Sequence, residues 1–346
     1  FVSKLVQNGY TNLCVIPCSF AKSVINESIN NSNIEYLPCA SEAVACSIAA
    51  GLKMAGKKPL VIVQSSGLTN MGSCITSLLK PYGIRFPILV SWREYNEGNS
   101  EIQHKHLATK LPDLINTYGY QHIILNKEDI SIAINQIEEC NDIDQICIFQ
   151  KKTFSTVSLT EKHQLDLSMY VPRSEFLKAL NKKFSDQDVL FIGTTGNTSR
   201  EMYSFMADTD NFYIAGNMGG ALSVGFGAAK AGKRVIVCGG DAEFVMHMGG
   251  LVDAGRYSNN INLTYIVFDN ESNKSTGGQN SYQQHIDYIG MAKSSNILNT
   301  FGVTDIKSFD NILEKIDIGV NFIYIKCSYD RVTPRPPLDV LIRNSF

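Results

Sequence analysis

The amino-acid sequence predicts an α/β fold with two tandem domains, each a mostly parallel sheet with helices on both faces. Short runs rich in β-branched residues alternate with helix-like segments along the whole chain, which is the pattern of parallel sheets. The length of 346 residues suits two or three domains. A polar stretch without periodicity, Lys151–Leu167, separates two halves that share a short internal repeat.

Nine apolar runs are predicted to be strands. The four in the first half are Asn12–Ile16, Leu60–Gln64, Pro87–Trp92 and Gln145–Phe149. The five in the second half are Asp188–Ile192, Asn211–Ile214, Arg234–Cys238, Leu263–Asp269 and Asn321–Lys326. The polar stretch between the halves predicts a boundary near residue 160, with domains over 1–160 and 161–346.

The internal repeat relates the two halves directly. Ala45–Lys58 aligns without gaps with Ala221–Arg234 and is identical at six of fourteen positions. After a slip of two residues, Val61–Val63 meets Val235–Val237. Both segments are rich in Ala and Gly, so the match is suggestive. In each domain a helix of small residues is expected to lead into a buried strand, and ligands of such sheets bind at the carboxyl ends of the strands.

Composition and charge exclude several classes of protein. The chain is 44% hydrophobic and 18% charged, which is a globular balance and not that of a disordered or coiled-coil protein. The net charge of −2, without a basic stripe, argues against a nucleic-acid partner. No apolar stretch reaches the length of about 18 residues that a membrane span needs. The nine cysteines contain no C-x-x-C and predict reduced thiols in a cytoplasmic protein.

Two polar residues follow neighbouring predicted strands. Asp241 comes shortly after the strand Arg234–Cys238, and Asn270 comes directly after Leu263–Asp269. If a helix-like segment, Glu243–Tyr257, makes a right-handed crossover between them, both strands end at one edge of the sheet. A carboxylate and an amide oxygen suit Mg²⁺, which completes its shell with phosphates and water. The alternative is a solvated Asp and a turn Asn.

These residues resemble the Gly-Asp-Gly…Asn-Asn motif of thiamine diphosphate enzymes. The motif stands here as Gly240-Asp241-Ala242 and Asp269-Asn270, with 29 positions from Asp241 to Asn270 and departures at Ala242 and Asp269. The resemblance implies thiamine diphosphate at Gly240 and Ala242. It also implies Mg²⁺ bound by the side chains of Asp241 and Asn270 and by the backbone carbonyl of Ser272.

Three other features fit this resemblance. Ala215–Gly220 is similar to the family's G-x-M-G element. This similarity implies that Met218 is the wedge under the bent cofactor and that the Gly216 carbonyl accepts a hydrogen bond from the amino group of the cofactor. The alternative is that Met218 is a core methionine. Glu42, at the start of an Ala-rich helix, matches the glutamate that shares a proton with the pyrimidine ring, although it could merely complement the helix dipole. Thr194 and Thr195 end a predicted strand and could cradle a phosphate.

The order of motifs is similar to that of the phosphonopyruvate decarboxylase family, whose members have a pyrimidine-binding and a diphosphate-binding domain. The stretches that carry this similarity are Ser65–Asn70, Ser91–Glu94, Gln103–His104, Thr194–Gly196, Asp269–Glu271 and Ser275–Gln279. The resemblance implies pyrimidine binding over 1–160, diphosphate binding over 161–346, and a homodimer or larger homo-oligomer with active sites between subunits. It implies decarboxylation of 3-phosphonopyruvate to phosphonoacetaldehyde and CO₂.

The anionic head of such a substrate needs cationic or multiple neutral donors. Arg93 is the candidate for a bidentate contact. The residues that could add hydrogen bonds are Ser66, Thr69, Asn70 and Gln103. His104 could transfer protons or bind the head group, and an exposed histidine without a role is the alternative.

One residue departs from the family near the substrate. The family usually has Val-Pro-Asp-Ser after its first strand, whereas this chain has Ile16-Pro17-Cys18-Ser19. Loss of the carboxylate should change proton transfer or the choice of 2-oxo acid. Cys18 could also be a small apolar filler.

Other functions stay open. A relative could act on sulfopyruvate or another 2-oxo acid, or could be a carboligase. A dinucleotide-binding dehydrogenase is disfavoured because no G-x-G-x-x-G opens a helix after a strand. The joint presence of Glu42, Met218, Asp241 and Asn270 argues against a non-catalytic binding module.

Overall fold

The chain forms two compact units, each with its own six-stranded parallel sheet. A computed structural model describes residues 1–96, 98, 101–316, 318–330 and 332–335. Unit 1 consists of Phe1–Gln164 together with Thr276–Gln279, and unit 2 begins at Leu165 and holds the other described residues. Two parallel sheets flanked by helices confirm the predicted fold class.

Unit 1 contains the first six strands and nine helices among its described residues. Its strands are β1 (Asn12–Val15), β2 (Glu35–Pro38), β3 (Pro59–Gln64), β4 (Ile88–Ser91), β5 (Gln121–Ile124) and β6 (Gln145–Phe149). Its helices are α1 (Val2–Gln7), α2 (Lys22–Asn30), α3 (Glu42–Met54), α4 (Ser65–Asn70), α5 (Gly72–Cys74), α6 (Lys80–Tyr82), α7 (Lys105–Ala108), α8 (Leu111–Thr117) and α9 (Ile130–Glu139). A π-helical turn, Ile75–Leu79, joins α5 to α6.

Unit 2 contains six strands and seven helices in the part of the chain that the structure describes. Its strands are β7 (Leu190–Gly193), β8 (Asp210–Tyr213), β9 (Val235–Gly240), β10 (Asn262–Asp269), β11 (Asn299–Val303) and β12 (Gly319–Lys326). Its helices are α10 (Arg173–Phe184), α11 (Asn197–Phe205), α12 (Ala221–Lys230), α13 (Asp241–Met246), α14 (Gly249–Arg256), α15 (Tyr288–Ser294) and α16 (Ile306–Leu313).

The two sheets have the same topology. The strand order is β2-β1-β3-β4-β6-β5 in unit 1 and β8-β7-β9-β10-β12-β11 in unit 2, and every pairing is parallel. The internal repeat therefore corresponds to the helix and the third strand of each sheet, α3 with β3 and α12 with β9. The gapless match of the helices continues into the strands, since Pro59 and Val235 both lie fourteen residues after the first repeat residue.

Burial on both faces explains why the central strands could be predicted. In β9, Val235 and Val237 pack into one hydrophobic cluster, while Ile236 and Cys238 pack into the cluster on the other face. Such strands form near-continuous apolar runs. The three strands missed by the sequence analysis, β2, β5 and β11, all lie at sheet edges and carry exposed residues.

The remaining findings concern helices and cysteines. The expected helix over Glu243–Tyr257 is divided into α13 and α14, because the backbone leaves the helical region at His247 before the pair Gly249-Gly250. No helix in the described ranges is long and apolar enough to cross a membrane. All nine cysteines are free thiols.

Candidate active site

Glu42 begins α3 and is buried. The helix is capped by Ser41, whose hydroxyl accepts a hydrogen bond from the Val44 N–H at 3.4 Å. The Glu42 side chain is 3% exposed, and its Oε2 accepts a hydrogen bond from Asn70 Nδ2 at 2.9 Å. Gly67 makes room for the carboxyl group, because a Cβ there would lie 2.8 Å from Glu42 Cδ. The structure therefore encloses the Glu42 carboxyl group at the first turn of α3, where it also complements the helix dipole.

The carboxyl edge of the unit 1 sheet collects most of the predicted catalytic and substrate residues. Glu42 follows β2, Cys18 follows β1, Ser66 lies just beyond β3, and Arg93 follows β4. Since these four strands are neighbours and parallel, their carboxyl ends share one edge.

Arg93 lies in a buried polar cluster. Its guanidinium lies over the Phe20 ring, with 4.2 Å from Cζ to the ring centroid, and its Nη1 donates to Ser19 Oγ at 2.6 Å. The Cys18 thiol is 3.7 Å from Arg93 Nη1. At the other end of the guanidinium, Nη2 pairs with the carboxylate of Glu101.

Cys18 packs into the hydrophobic cluster of unit 1, as a small apolar filler would, and it also contacts polar side chains. Its Sγ lies 3.1 Å from Ser91 Oγ, within hydrogen-bond distance, and the side chain is 1% exposed. Ser19, Ser91 and Glu101 were not assigned roles from the sequence. The contacts of Ser19 and Ser91 join the ends of β1 and β4, which only the sheet brings together.

His104 is buried, which contradicts the alternative of an exposed histidine. Burial, followed by the positive charge of Arg93, lowers the pKa of His104 to about 4, so the imidazole is neutral near pH 7. Its Nε2 is 4.0 Å from Glu101 Oε2. Its buried Nδ1 has no hydrogen-bond partner among the described residues.

The other predicted substrate residues are dispersed. Thr69 Oγ1 donates to the Ser66 carbonyl at 2.6 Å within α4, whereas Asn70 contacts Glu42. The Gln103 side chain is exposed. The roles of these residues stay predictions.

In unit 2, Asp241 and Asn270 lie at the ends of paired strands. Asp241 begins α13 directly after β9, and Asn270 follows β10, whose Phe268 pairs with Gly240. Ser281 Oγ donates to Asp241 Oδ2 at 3.1 Å, and Asn270 Oδ1 accepts from the Ser272 N–H at 3.1 Å. Burial, together with the nearby charge of Asp269, raises the pKa of Asp241 to about 7.

The contacts of Asp269 explain why an Asp can stand where the family motif usually has an Asn. Its Oδ2 accepts from Tyr324 Oη at 2.6 Å and from Lys326 Nζ at 2.9 Å, and its Oδ1 accepts from the Glu271 N–H at 2.9 Å. Lys326 compensates the charge that an Asn in this position would not carry. Asp269 is thereby anchored to β12 rather than directed at a ligand.

The donors around Asp241 fit a magnesium ion. Asp241 and Asn270 offer hard oxygen atoms, and the buried Ser272 Oγ lacks a hydrogen-bond partner in the described part of the chain. No group of three or more His, Cys, Asp or Glu side chains in the described ranges could hold a metal. A cation with few protein ligands, completed by phosphate and water, is the form that Mg²⁺ takes with phosphorylated ligands.

The loop before α12 has a constrained conformation. Asn217 and Gly219 both have positive φ, 51° and 89°, on either side of Met218. A Cβ at Gly219 would lie 2.8 Å from His247 Cγ, so only glycine fits there. Met218 is partly exposed and lies outside the hydrophobic clusters, which argues against the core methionine alternative.

The remaining predicted cofactor residues lie at the same strand ends. Thr195 Oγ1 donates to the Ala215 carbonyl at 2.7 Å, which ties the end of β7 to the loop before α12. Thr194 is buried, and its carbonyl accepts from Ser199 Oγ at 2.7 Å. A Cβ on Gly240 would meet only the Phe268 carbonyl oxygen, at 3.9 Å, so this strand end is open to a ligand.

Comparison with known proteins matches both units. The family model of the N-terminal TPP binding domain of thiamine pyrophosphate enzymes matches residues 1–111, and the model of their C-terminal TPP binding domain matches residues 192–323. Together the two models cover more than half of the chain.

Relatives with assigned names point the same way. The chain is 28% identical over 309 residues to a phosphonopyruvate decarboxylase of Streptomyces viridochromogenes, covering 84% of this chain and 78% of that protein. It is 26% identical over 319 residues to a sulfopyruvate decarboxylase of Methanosarcina acetivorans, covering 85% and 81%. It is also 37% identical over 128 residues to a sulfopyruvate decarboxylase subunit beta of Methanothermobacter thermautotrophicus, covering 37% and 68%.

The domain matches, the named relatives and the two parallel sheets agree with the resemblance seen in the sequence. The chain belongs to the thiamine pyrophosphate enzyme family and is a thiamine diphosphate-dependent decarboxylase of a 2-oxo acid.

Proposed function

We propose that this enzyme decarboxylates 3-phosphonopyruvate to phosphonoacetaldehyde and CO₂, with thiamine diphosphate and Mg²⁺. The observation that carries the proposal is that Arg93 binds an anionic oxygen, that of the Glu101 carboxylate, at the same sheet edge as Glu42. The similarity to a named phosphonopyruvate decarboxylase over most of both chains supports it.

The cofactor would be held by residues of both units. In unit 2, Asp241, Asn270 and the Ser272 carbonyl would bind Mg²⁺. The residues proposed to contact the cofactor itself are Thr194, Thr195, Gly216, Met218, Gly240 and Ala242. When bound, thiamine diphosphate supplies the electron sink for the electron pair that stays on the substrate carbon when CO₂ leaves.

Glu42 would handle a proton at the pyrimidine ring. Its carboxyl group is shielded from water, and Asn70 Nδ2 holds one of its oxygens. The other oxygen, Oε1, faces the space left by Gly67. A carboxyl group held in this way can share a proton with a ring nitrogen without competition from solvent.

Arg93 would bind the anionic head of the substrate. The Phe20 ring and Ser19 orient the guanidinium, and the carboxylate of Glu101 occupies its Nη2 end. A phosphonate group also presents anionic acceptor oxygens, and it carries more negative charge than a carboxylate, so one of its oxygens could take the same position. Neutral His104 adds no further positive charge beside the site.

The proposed holoenzyme is a homo-oligomer with active sites between subunits. Glu42 belongs to unit 1, whereas Asp241 belongs to unit 2. A complete site therefore requires both kinds of unit, pyrimidine-binding over 1–160 and diphosphate-binding over 161–346.

CO₂ release tests the substrate. The purified protein with thiamine diphosphate and Mg²⁺ is given phosphonopyruvate, sulfopyruvate or pyruvate side by side, and the aldehyde yield is measured. We expect phosphonopyruvate to have the highest kcat/KM, with one aldehyde for each CO₂. Preference for sulfopyruvate would refute the proposed substrate, and CO₂ without aldehyde would indicate a carboligase.

Two variants test the proposed head-group site. Arg93→Gln should raise KM for phosphonopyruvate by about 10²-fold while changing that for pyruvate much less, since a lost charged hydrogen bond costs about 1.5–3 kcal/mol. Arg85→Gln is the matched control, because Arg85 pairs with Asp144 and is more than a third exposed. Cys18→Asp restores the carboxylate usual in the family, and an altered order of substrates would place Cys18 at the substrate.

A further inference from the structure

Glu243 is a buried carboxylate that the proposed reaction does not use. It lies two residues after Asp241 in α13, and its side chain is in contact with a second strand, since Tyr265 Oη of β10 donates to its Oε2 at 2.7 Å. The backbone N–H groups of Gly240, Ala221 and Leu222 lie near enough to favour the ionised form of the carboxylate. A fully buried carboxylate is stable only with such partners.

Two of these donors are the first residues of α12. That helix begins after Gly220, which has no side chain to cap it, and its first turn contains no acidic residue. The first N–H groups of a helix need acceptors and carry partial positive charge. Glu243, which belongs to another helix, α13, therefore lies where it can act as an acceptor for the start of α12.

The start of α12 lies directly after the constrained loop Gly216–Gly220. Positive φ values at Asn217 and Gly219 cost free energy unless the surroundings hold them in place. The helix that carries Glu243 is followed by His247, which packs closely under Gly219. Glu243 within α13 lies near the start of α12, and His247 directly after α13 contacts the loop before α12.

Tight packing leaves the carboxylate a single position. A Cβ on Gly239 would lie 2.6 Å from both Glu243 Oε2 and Tyr265 Cε2, so glycine is required where the side chain crosses β9. The Gly239, Glu243 and Tyr265 contacts connect the end of β9, which carries Asp241, to the start of α12, which follows Met218.

We propose that Glu243 is a positioning residue that fixes the loop Gly216–Gly220, and Met218 within it, relative to the proposed magnesium ligand Asp241. The inference rests on the proposed binding of thiamine diphosphate at these residues. In this role Glu243 acts through the backbone of Ala221 and Leu222 and needs no contact of its own with substrate or cofactor.

Cofactor binding to two variants tests the inference. Glu243→Leu removes the acceptors, whereas Glu243→Gln keeps one oxygen that can accept from the helix N–H groups. Calorimetric titration with thiamine diphosphate at saturating Mg²⁺ should give a Kd raised by about ten-fold or more for Glu243→Leu and by less than about three-fold for Glu243→Gln. The thermal midpoint of the cofactor-free proteins is measured alongside.

Phe309→Leu is the control for general loss of stability. Phe309 is buried in the cluster on the α10 and α16 side, packed against Phe176 with ring centroids 5.4 Å apart. This variant should lower the thermal midpoint while leaving the Kd for thiamine diphosphate unchanged. If Glu243→Leu lowers only the midpoint, as the control does, Glu243 is merely structural and the inference is wrong.

Two further outcomes separate the inference from the proposed function. If Glu243→Leu does not fold, Glu243→Met, which also lacks an oxygen acceptor but keeps an unbranched side chain of similar length, takes its place, and a Kd within about two-fold of the wild type would overturn the inference. If the wild-type protein binds no thiamine diphosphate, the proposed site itself fails. Only the first of these results leaves wild-type binding intact.

Discussion

The two units build different chemistry on the same sheet. When the internal repeat is extended, Glu42 of unit 1 aligns with Met218 of unit 2, and Ser65 aligns with Asp241. In unit 1 the carboxyl group therefore lies at the start of the helix before the third strand. In unit 2 the carboxyl group lies at the end of the third strand, and the position that corresponds to Glu42 is the apolar Met218, in the loop before α12.

The residues around each carboxyl group differ accordingly. Gly67 makes room for Glu42 in unit 1, whereas the corresponding position in unit 2 holds Glu243, which lies near the start of α12. Glu42 is held by the neutral amide of Asn70, which suits sharing a proton. Asp241 lies beside Asn270 and Ser272 at a strand end, which suits binding a cation. The same topology thus carries the two acids proposed for proton transfer and for metal binding at different positions, one at a helix start and the other at a strand end.

The strongest test of this contrast is Glu42→Gln. If Glu42 is the proton site, kcat for CO₂ release should fall by about 10²–10⁴-fold, the usual contribution of a general acid or base. The Kd for thiamine diphosphate with Mg²⁺ should change little, because the proposed metal ligands Asp241 and Asn270 belong to the other unit. Glu161→Gln, an exposed acid of unit 1, is the control. Full activity of Glu42→Gln would exclude the proposed role.

Asp241→Asn should give the opposite pattern. Loss of the carboxylate is expected to weaken Mg²⁺-dependent binding of thiamine diphosphate by at least about ten-fold, since metal sites respond at this level even to changes around their ligands. Titration calorimetry with and without Mg²⁺ measures the effect. Asp253→Asn, at an exposed position in α14, is the control. Unchanged metal dependence would mean that Asp241 is a structural acid.

A pair of glycine variants sharpens the comparison. Gly67→Ala should lower kcat by about ten-fold or more, because the new methyl group displaces the Glu42 carboxyl group by a distance that positioning effects do not tolerate. Gly51→Ala lies in the same helix as Glu42 with nothing within 4 Å of its Cβ. It should keep kcat and stabilise the fold by about 0.5–1 kcal/mol. Equal activities would show that Glu42 has room to move.

The smallest effect concerns His104 and pH. Its pKa is lowered to about 4 in the fold from 6.5, so between these values the unfolded chain binds more protons at this site. The free energy of unfolding should therefore fall as pH decreases through this window, by at most about 1.4 kcal/mol per pH unit. Urea unfolding of His104→Asn should show a weaker pH dependence than the wild type, whereas exposed His122→Asn should not.

The sequence predicted most of the fold because central parallel strands are buried on both faces. All nine predicted strands are present, and the missed ones are edge strands whose exposed residues interrupt the apolar pattern. The residues after β9 and β10 could also be named, because their position in the chain follows from where the strands end. The break between α13 and α14 was not expected, since the glycines that mark it also occur inside small-residue helices.

The partners of the site residues could not be predicted. Glu101 beside Arg93, Ser281 beside Asp241 and Lys326 beside Asp269 are distant in sequence or carry no recognisable motif. Glu243 was read only as the start of a helix, because its acceptor role depends on the position of α12.

The sequence by itself determined the α/β class, the internal repeat, the family and the acids that end strands or begin helices, because these follow from local apolar pattern and spacing. The tertiary structure decided which of these acids are buried and what neutralises them. Burial turned Glu42 into an enclosed carboxyl group, joined Cys18 to Arg93, and made His104 neutral. The physical reason is that desolvation and hydrogen bonding depend on neighbours brought together by the sheet, not by the chain.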